Sequence, residues 1–254
     1  MNEALDKRVA LVTGGGRGIG RAVCLGLAQQ GARVAVLARS ADQVRETVEH
    51  IDGNLGEALA LPADVNDPYQ VGEALTVIES RWGPVGLLVN NAAVVWPLGP
   101  STAIDADEWA SAIATNVIAA ARLSFMVLPG MLAQGWGRIV NVSSGVAASP
   151  AAMLRANAYA TSKAAIEAHT LNLAAELDGT GVTVNIFRPG SVDTAMQAWI
   201  RDQHPDQIGS ALHQRFIDNY EQGTLLTPGQ SAASLLKRLP GQANGEIWTA
   251  SNPP

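Results

Sequence analysis

Val9-Ala10-Leu11-Val12-Thr13-Gly14-Gly15-Gly16-Arg17-Gly18-Ile19-Gly20 decides how the rest of the chain is read. Four leading apolar residues run into a glycine-dense turn, and an apolar-periodic segment follows at once. That order predicts a buried strand, a tight loop and the opening turn of a helix. Gly14, Gly18 and Gly20, spaced G-x-x-x-G-x-G, let the backbone take positive φ and let a ligand approach with no Cβ in the way. The helix start beyond them offers unpaired N–H groups and the positive end of a dipole, which suits a pyrophosphate. The spacing differs from the commoner G-x-G-x-x-G, and by itself it also fits a glycine-rich turn that binds nothing.

Outward from this turn, strand and helix signals alternate to the end of the chain, the mark of an α/β fold with a parallel sheet and helices on both faces. Strands are expected at Arg33–Ala38, Ala58–Leu61, Val85–Asn90, Arg138–Val142, Val182–Phe187 and Glu246–Thr249. Between them, helices are expected from about Gly20 to Gln30, from Ser40 (a capping box with Gln43) to Asp52, and from Asp67-Pro68 to Arg81. A long helix over Trp109–Leu132 carries Asn116, Arg122 and Pro129, and another spans about Ala158–Leu177. The region Ser191–Leu226 shows only a weak helical pattern and reads as an inserted segment, after which Thr227-Pro228 caps a last helix. No linker, repeat or low-complexity block divides the 254 residues, so a single domain over 1–254 is expected.

Composition narrows the class. A hydrophobic content of 47% fills a sizeable core, and 16% charged residues argues against disorder. The formal net charge of −6, with Lys and Arg scattered, gives no electrostatic case for nucleic acid. One cysteine, Cys24, excludes an intrachain disulfide and fits a reducing compartment. Met1–Arg8 has no apolar core of the secretory type, and Asn116, Arg122 and Pro129 argue for a soluble helix rather than a membrane span at Trp109–Leu132. A soluble cytoplasmic protein with no membrane partner is expected.

In an open doubly wound sheet, ligands bind at the carboxyl ends of the strands, where Thr13, Arg39, Asp64, Asn91, Ser144 and the Pro189-Gly190 turn fall. Tyr159 and Lys163 lie four residues apart, on one face of a helix. A free tyrosine titrates near ~10, too high for ready proton exchange, and a nearby ammonium lowers that value. Alone, such a pair is also an ordinary feature of helix surfaces. The ordered set T-G-G-G-R-G-I-G (13–20), D-V (64–65), N-N-A-A (90–93), Asn116, S-S (143–144), Y-A-T-S-K (159–163) and P-G-S-V-D-T (189–194) resembles the short-chain dehydrogenase/reductase family over almost the whole chain. Within it, the chain resembles members of the 3-oxoacyl-[acyl-carrier-protein] reductase and carbonyl reductase types.

The resemblance implies a single-domain Rossmann-type doubly wound parallel β-sheet with a substrate-loop insertion at about 191–226. It implies hydride transfer between a nicotinamide cofactor and a ketone or aldehyde, or the reverse oxidation. Tyr159 is then the acid–base, Lys163 lowers its pKa and holds the ribose, a serine orients the carbonyl, and Asn116 holds a relay water. Two serines, Ser143 and Ser144, are available, and the family's habit selects Ser144. Cofactor contacts fall by resemblance to Gly14, Arg17, Gly18, Ile19, Gly20, Arg39, Asp64, Val65, Asn91, Ala92, Tyr159, Lys163, Pro189, Gly190, Val192 and Thr194. Ala38 and Arg39 end the second strand where NAD enzymes place a carboxylate, and Arg17 can face the same ribose, so NADP(H) is expected over NAD(H).

Ala93 replaces the family's usual glycine, and the tail Glu246–Pro254 lacks its glycine-rich segment. Small residues run along Trp109–Leu128 (Ala112, Ala119, Ala120) and Ala158–Leu177 (Ala164, Ala165, Ala168), helices that pair across a subunit interface in members of the family, so the resemblance implies a homo-oligomer, a tetramer or a dimer. Trp96, Met153, Leu154, Met196 and Trp199 fall on loops that should border an apolar substrate pocket. A binding protein that uses the nucleotide for sensing or scaffolding, and an epimerase or dehydratase, are the alternative readings. Ser143-Ser144 has no G-x-S-x-G elbow, and the histidines show no metal-binding spacing, so neither a serine hydrolase nor a catalytic metal is expected.

Overall fold

The computed structural model describes residues 5–53 and 55–250; residues 1–4 and the tail from 251 to 254 lie outside that description. The glycine-rich stretch folds as its pattern predicts, with β1 at Val9–Thr13 fully buried and α1 at Gly18–Gln29. Then come β2 (Arg33–Ala38), α2 (Ala41–Asp52), β3 (Ala58–Pro62), α3 (Pro68–Trp82) and β4 (Leu87–Asn90). The second half holds α4 (Ala106–Ile113), α5 (Ala119–Gln134), β5 (Gly137–Val142), α6 (Asn157–Glu176) and β6 (Val182–Arg188). Four helices, α7 (Ala195–Arg201), α8 (Pro205–Ile208), α9 (Ser210–Glu221) and α10 (Pro228–Leu236), precede β7 at Ile247–Thr249.

All seven strands form one parallel sheet in the order β3-β2-β1-β4-β5-β6-β7. Its two faces are legible in the alternation of single strands. Ala10 and Val12 pack with Val23 and Leu27 of α1, Val44 and Ile51 of α2 and Leu235 of α10. Val9 and Leu11 pack instead with Val71 and Ile78 of α3, Leu123 and Met131 of α5 and Leu173 of α6. A strand covered on both faces has no polar side to show, hence its unbroken apolar run. The strand order reverses between β1 and β4, and the helices that follow them leave on opposite sides. The carboxyl edge is therefore open at this point.

Local chemistry ends the helices where it should. Ser40 accepts from the Gln43 N–H at 3.4 Å, and Asp67 accepts from Tyr69 and Gln70 with Pro68 in the first turn. Thr227 and Gln230 form a reciprocal capping box ahead of Pro228. The long helix expected over Trp109–Leu132 is instead two α-helices joined by a π-helical turn at Ala114–Ile118, which carries Asn116. Pro129 does not end it. The missing N–H leaves the Phe125 carbonyl without its helical partner on an exposed face, where water can meet it.

This continuous rod, Ala106–Gln134, is the single described helix long and apolar enough to cross a membrane by length and composition, and only 33% of its most apolar window is buried. One side packs on β4 and β5, while Ile118, Phe125, Met126 and Leu132 are left exposed. The segment 191–226 is also more ordered than its pattern suggested. It carries α7, α8 and α9, and a bridge between Val192 and Leu226 ties its two ends together. Its apolar residues, Ile200, Ile208, Leu212 and Phe216, are spread about one per turn over short helices, too few for a strong periodic signal.

Gly20 carries the tightest approach in the first turn. A Cβ there would lie 2.2 Å from the Gly14 carbonyl oxygen and 2.6 Å from the Asn91 amide nitrogen, and Gly14 itself sits at φ +64°. Gly72, within α3, has nothing within 4 Å of its Cβ position. Gly20→Ala should therefore cost about 1–3 kcal/mol through backbone displacement. Gly72→Ala should add about 0.5–1 kcal/mol through helix propensity. Urea unfolding midpoints check both, and equal shifts for the two variants would contradict the packing described.

Candidate active site

A cleft of about 1000 Å³ opens along the carboxyl edge of β1, β4, β5 and β6. Its floor is the first glycine turn. The Thr13 hydroxyl accepts from the N–H groups of Asn91 and Ala92, each at 3.0 Å, and the Asn91 amide donates to the carbonyls of Thr13 and Gly14 at 2.9 and 3.3 Å. These bonds lock the ends of β1 and β4 together. Arg21 donates to the Gly16 carbonyl and pairs with Glu46, while Thr47 donates to the Gly15 carbonyl at 3.2 Å. A trans peptide carries its N–H opposite its C=O. The N–H groups of Gly16 and Arg17 are thus turned away from these tethers. Neither Arg21 nor Thr47 was singled out from the sequence, because each acts on the turn from another part of the fold.

Every expected cofactor contact lines this one cleft: Gly14, Arg17, Gly18, Ile19, Gly20, Arg39, Asp64, Val65, Asn91, Ala92, Tyr159, Lys163, Pro189, Gly190, Val192 and Thr194. The loop after β6 approaches the glycine turn closely, with the Thr194 methyl 3.5 Å from where a Gly18 Cβ would sit. At one end, Arg17 and Arg39 face the cleft and make no side-chain hydrogen bond or ion pair among the described residues. Asp64 is the sole carboxylate in the lining, and one of its oxygens caps the Asn66 N–H at 2.9 Å.

At the other end stand Ser144, Tyr159 and Lys163. Tyr159 and Lys163 share a face of α6 as expected, and both are buried. The Lys163 ammonium donates to the Val142 carbonyl at 2.8 Å and lies 5.6 Å from the Tyr159 ring centroid. Burial pulls its pKa down to about 8, and the negative charge of Glu167 opposes that shift. The phenol behaves differently from the expectation. Burial raises its pKa, and the hydrogen bond with the Ser144 hydroxyl offsets only part of the rise. Desolvation of the phenolate outweighs the stabilisation foreseen from the lysine.

The two serines separate cleanly. Ser143 is buried with its hydroxyl spent on Glu167 at 2.7 Å, whereas the Ser144 hydroxyl accepts from the Val146 N–H at 3.3 Å, lines the cleft and acts to lower the pKa of the phenol. Glu167 also accepts from the Arg188 guanidinium twice, at 2.8 and 2.7 Å, so an ion pair with little exposure backs Lys163. Asn116 alone among the expected catalytic residues is absent from the cleft lining. Its amide is spent inside the protein, accepting from the Val94 N–H at 2.8 Å and donating to the Val94 carbonyl and the Ser162 hydroxyl. The side chain is a strut between the π-helical turn, the loop after β4 and α6.

Above Tyr159, an apolar chamber is built from Val95, Val146, Met153, Ile200 and Phe216. Of the apolar loop residues expected there, Trp96, Met153 and Met196 line the cleft, whereas Leu154 and Trp199 are exposed. Arg215 and Phe216 of α9 and Gln197 of α7 also line it, contributions from a segment whose pattern gave no hint of them. Cys24 is buried, and burial drives its thiol pKa far up, so it is an inert core residue. Among the described residues no group of three or more His, Cys, Asp or Glu side chains could hold a metal ion.

Comparison with known proteins agrees with this arrangement. The profile of the family described as short chain dehydrogenase matches residues 8–205. A short chain dehydrogenase of Pseudocercospora fijiensis is 40% identical over 196 residues, 76% of this chain, which spans 62% of that relative's length. A 3-oxoacyl-[acyl-carrier-protein] reductase of Pseudomonas aeruginosa is 37% identical over 193 residues, 76% of this chain and 77% of the relative. Among solved structures, a variant of actinorhodin polyketide ketoreductase with NADPH superposes with a TM-score of 0.83 at 30% identity, covering 96% of each chain. With the fold, the ordered motifs and the cleft in agreement, the chain belongs to the short chain dehydrogenase family.

Proposed function

We propose that this protein is an NADP(H)-dependent oxidoreductase that reduces a ketone or aldehyde to an alcohol, or runs the reverse oxidation. The observation that carries the reading is the burial of Tyr159 and Lys163 in the same cleft as two unpaired guanidinium groups and a glycine turn. The dinucleotide fits these residues. Gly14 and Gly20 keep Cβ atoms out of the turn, and Arg17 and Arg39 supply two cations where a 2′-phosphate needs them. The ketoreductase structure with NADPH and the 3-oxoacyl reductase relative support the same choice. When bound, the cofactor supplies or accepts the hydride.

The chain's own residues handle the proton. A buried phenol whose pKa is raised is protonated at neutral pH, which is the form needed to donate to a developing alkoxide. Ser144, which lines the cleft with that phenol, donates a hydrogen bond to the same alkoxide oxygen in this reading and so holds the carbonyl in line. Lys163, fixed by the Val142 carbonyl, keeps a positive charge beside the site below about pH 8. The apolar chamber excludes water from the reacting carbon.

The chain is also proposed to act as a homo-oligomer, a dimer or tetramer. Ala112 and Ala119 turn inward, correcting the expected small-residue stripe on that helix, but Phe125 and Met126 of α5 and Leu171 of α6 are exposed, and the Phe125 ring meets His169 of α6 edge-on. Light scattering at micromolar concentration should read two or four copies, and a monomer would overturn this.

A carbonyl panel run with NADPH beside NADH tests the activity. Tyr159→Phe should remove turnover by at least about a hundredfold while calorimetry shows NADPH still binding. Arg39→Asp should weaken NADPH binding on the order of tenfold or more with little change for NADH. Equal losses for the two cofactors would refute the 2′-phosphate assignment.

The lysine gives a pH signature. Its folded-state pKa lies below the ordinary lysine value, so charge is lost as pH rises through about 8, and reduction should decline there. The same shift makes the ammonium a cost to folding below pH 8 that fades as pH climbs toward the ordinary lysine range. Glu167→Gln removes the charge that holds the lysine pKa up, so the alkaline limb of the rate profile should move to lower pH. A limb that stays in place would show that Glu167 does not tune Lys163.

A further inference from the structure

We propose that Arg215 selects carbonyl substrates that carry an anionic group, a carboxylate or a phosphate ester, set apart from the reacting carbon by an apolar body. The inference rests on the reductase reading above and names the substrate class for it. Four cations line the cleft, Arg17, Arg39, Lys163 and Arg215, against the single carboxylate of Asp64, in a chain of formal net charge −6. The first three are accounted for by the nucleotide and the proton chemistry. Arg215 is left over. It lies on α9 next to Phe216, which packs in the same apolar cluster as Tyr159, Val95 and Met153. That places the guanidinium at the substrate end of the cleft.

The Arg215 guanidinium makes no hydrogen bond or ion pair among the described residues, and its one recorded contact is the Phe216 ring at 5.9 Å. Its helix is nevertheless anchored. Leu212 and Phe216 are buried, the His213 ring nitrogen meets the Arg201 carbonyl at 2.9 Å, and Arg201 stacks 4.0 Å over the Tyr220 ring. A free, planar, permanently charged donor on a fixed helix at the rim of an apolar chamber suits a carboxylate or phosphate by paired hydrogen bonds. Met153, Met196, Ile200 and Phe216 make most of the lining near Arg215 and Tyr159 apolar, with the Gln197 side chain a polar group among them, so the intervening part of the substrate is mainly apolar.

The test compares kcat/KM, with NADPH, for 6-oxoheptanoate, its methyl ester and the phosphate monoester of 6-hydroxyhexan-2-one. In the native protein an anion should be preferred to the ester by about tenfold or more, the ordinary effect of a charge-assisted hydrogen bond. The ratio should fall toward one in Arg215→Gln and below one in Arg215→Glu. The two anions show which group is favoured, and a preference for either supports the proposal. Anion-to-ester ratios unmoved by both variants for the carboxylate and the phosphate alike overturn it, as does a loss of NADPH affinity in place of the ratio. Calorimetry on the NADPH-loaded Tyr159→Phe protein reads the binding of acid and ester without turnover. Acid binding that depends on Arg215, together with a native protein that reduces no carbonyl in the panel, would sink the reductase reading alone. Indifference to Arg215 would sink this one.

Discussion

The ammonium of Lys163 is buried at 3% exposure, and the carboxyl edge of the sheet is arranged so that a charge can survive there. An isolated buried cation costs several kcal/mol even after relaxation. Here the Val142 carbonyl accepts one of its protons, and Glu167, one helical turn further along α6, supplies the opposing charge. Glu167 is itself satisfied by Ser143 and by two bonds from Arg188 on β6. Tyr159, Lys163 and Glu167 recur every four residues, so one stripe of α6 carries the phenol, the cation and the counter-charge. The end of β5 serves them all: Val142 holds the lysine, Ser143 the glutamate and Ser144 the phenol.

The rest of the fold brings a second, cationic region to the same edge. Reversal of strand order between β1 and β4 opens the crevice, and the bonds of Thr13 and Asn91 keep its two lips in register. Because Arg21 and Thr47 restrain the turn from behind, its N–H groups are preorganised at no cost to a ligand that meets them. Arg17 and Arg39 then stand unpaired at one end and Arg215 at the other, with a largely apolar chamber between Arg215 and the phenol.

The parallel sheet, its strand positions and most of the lining were legible in the sequence because their signals are local. A buried strand before a glycine turn, a Tyr and a Lys one turn apart, and a proline after an Asp cap each announce themselves within a few residues. What escaped depends on groups that meet only in three dimensions. Glu167 and Arg188 are 21 residues apart on different elements. Asn116 was found by its place in the motif order, but the bonds of its amide to Val94 and Ser162 join elements far apart in the chain and could not be read there. The direction of the Tyr159 shift could not be read from spacing, since it is decided by how much water the fold removes from the phenol. Arg215 sits among residues with too weak a period to place it on any face.

The central claim is that this cleft moves a hydride to a carbonyl carbon while Tyr159 supplies the proton. Reduction of a turned-over ketone with NADPH deuterated at the transferred C4 position, in ordinary water, tests it most directly by mass and NMR analysis of the alcohol. One deuterium bound to the carbinol carbon for each NADPH consumed is the predicted result. A carbinol carbon carrying solvent hydrogen, or product formed with the cofactor unconsumed, would contradict the account.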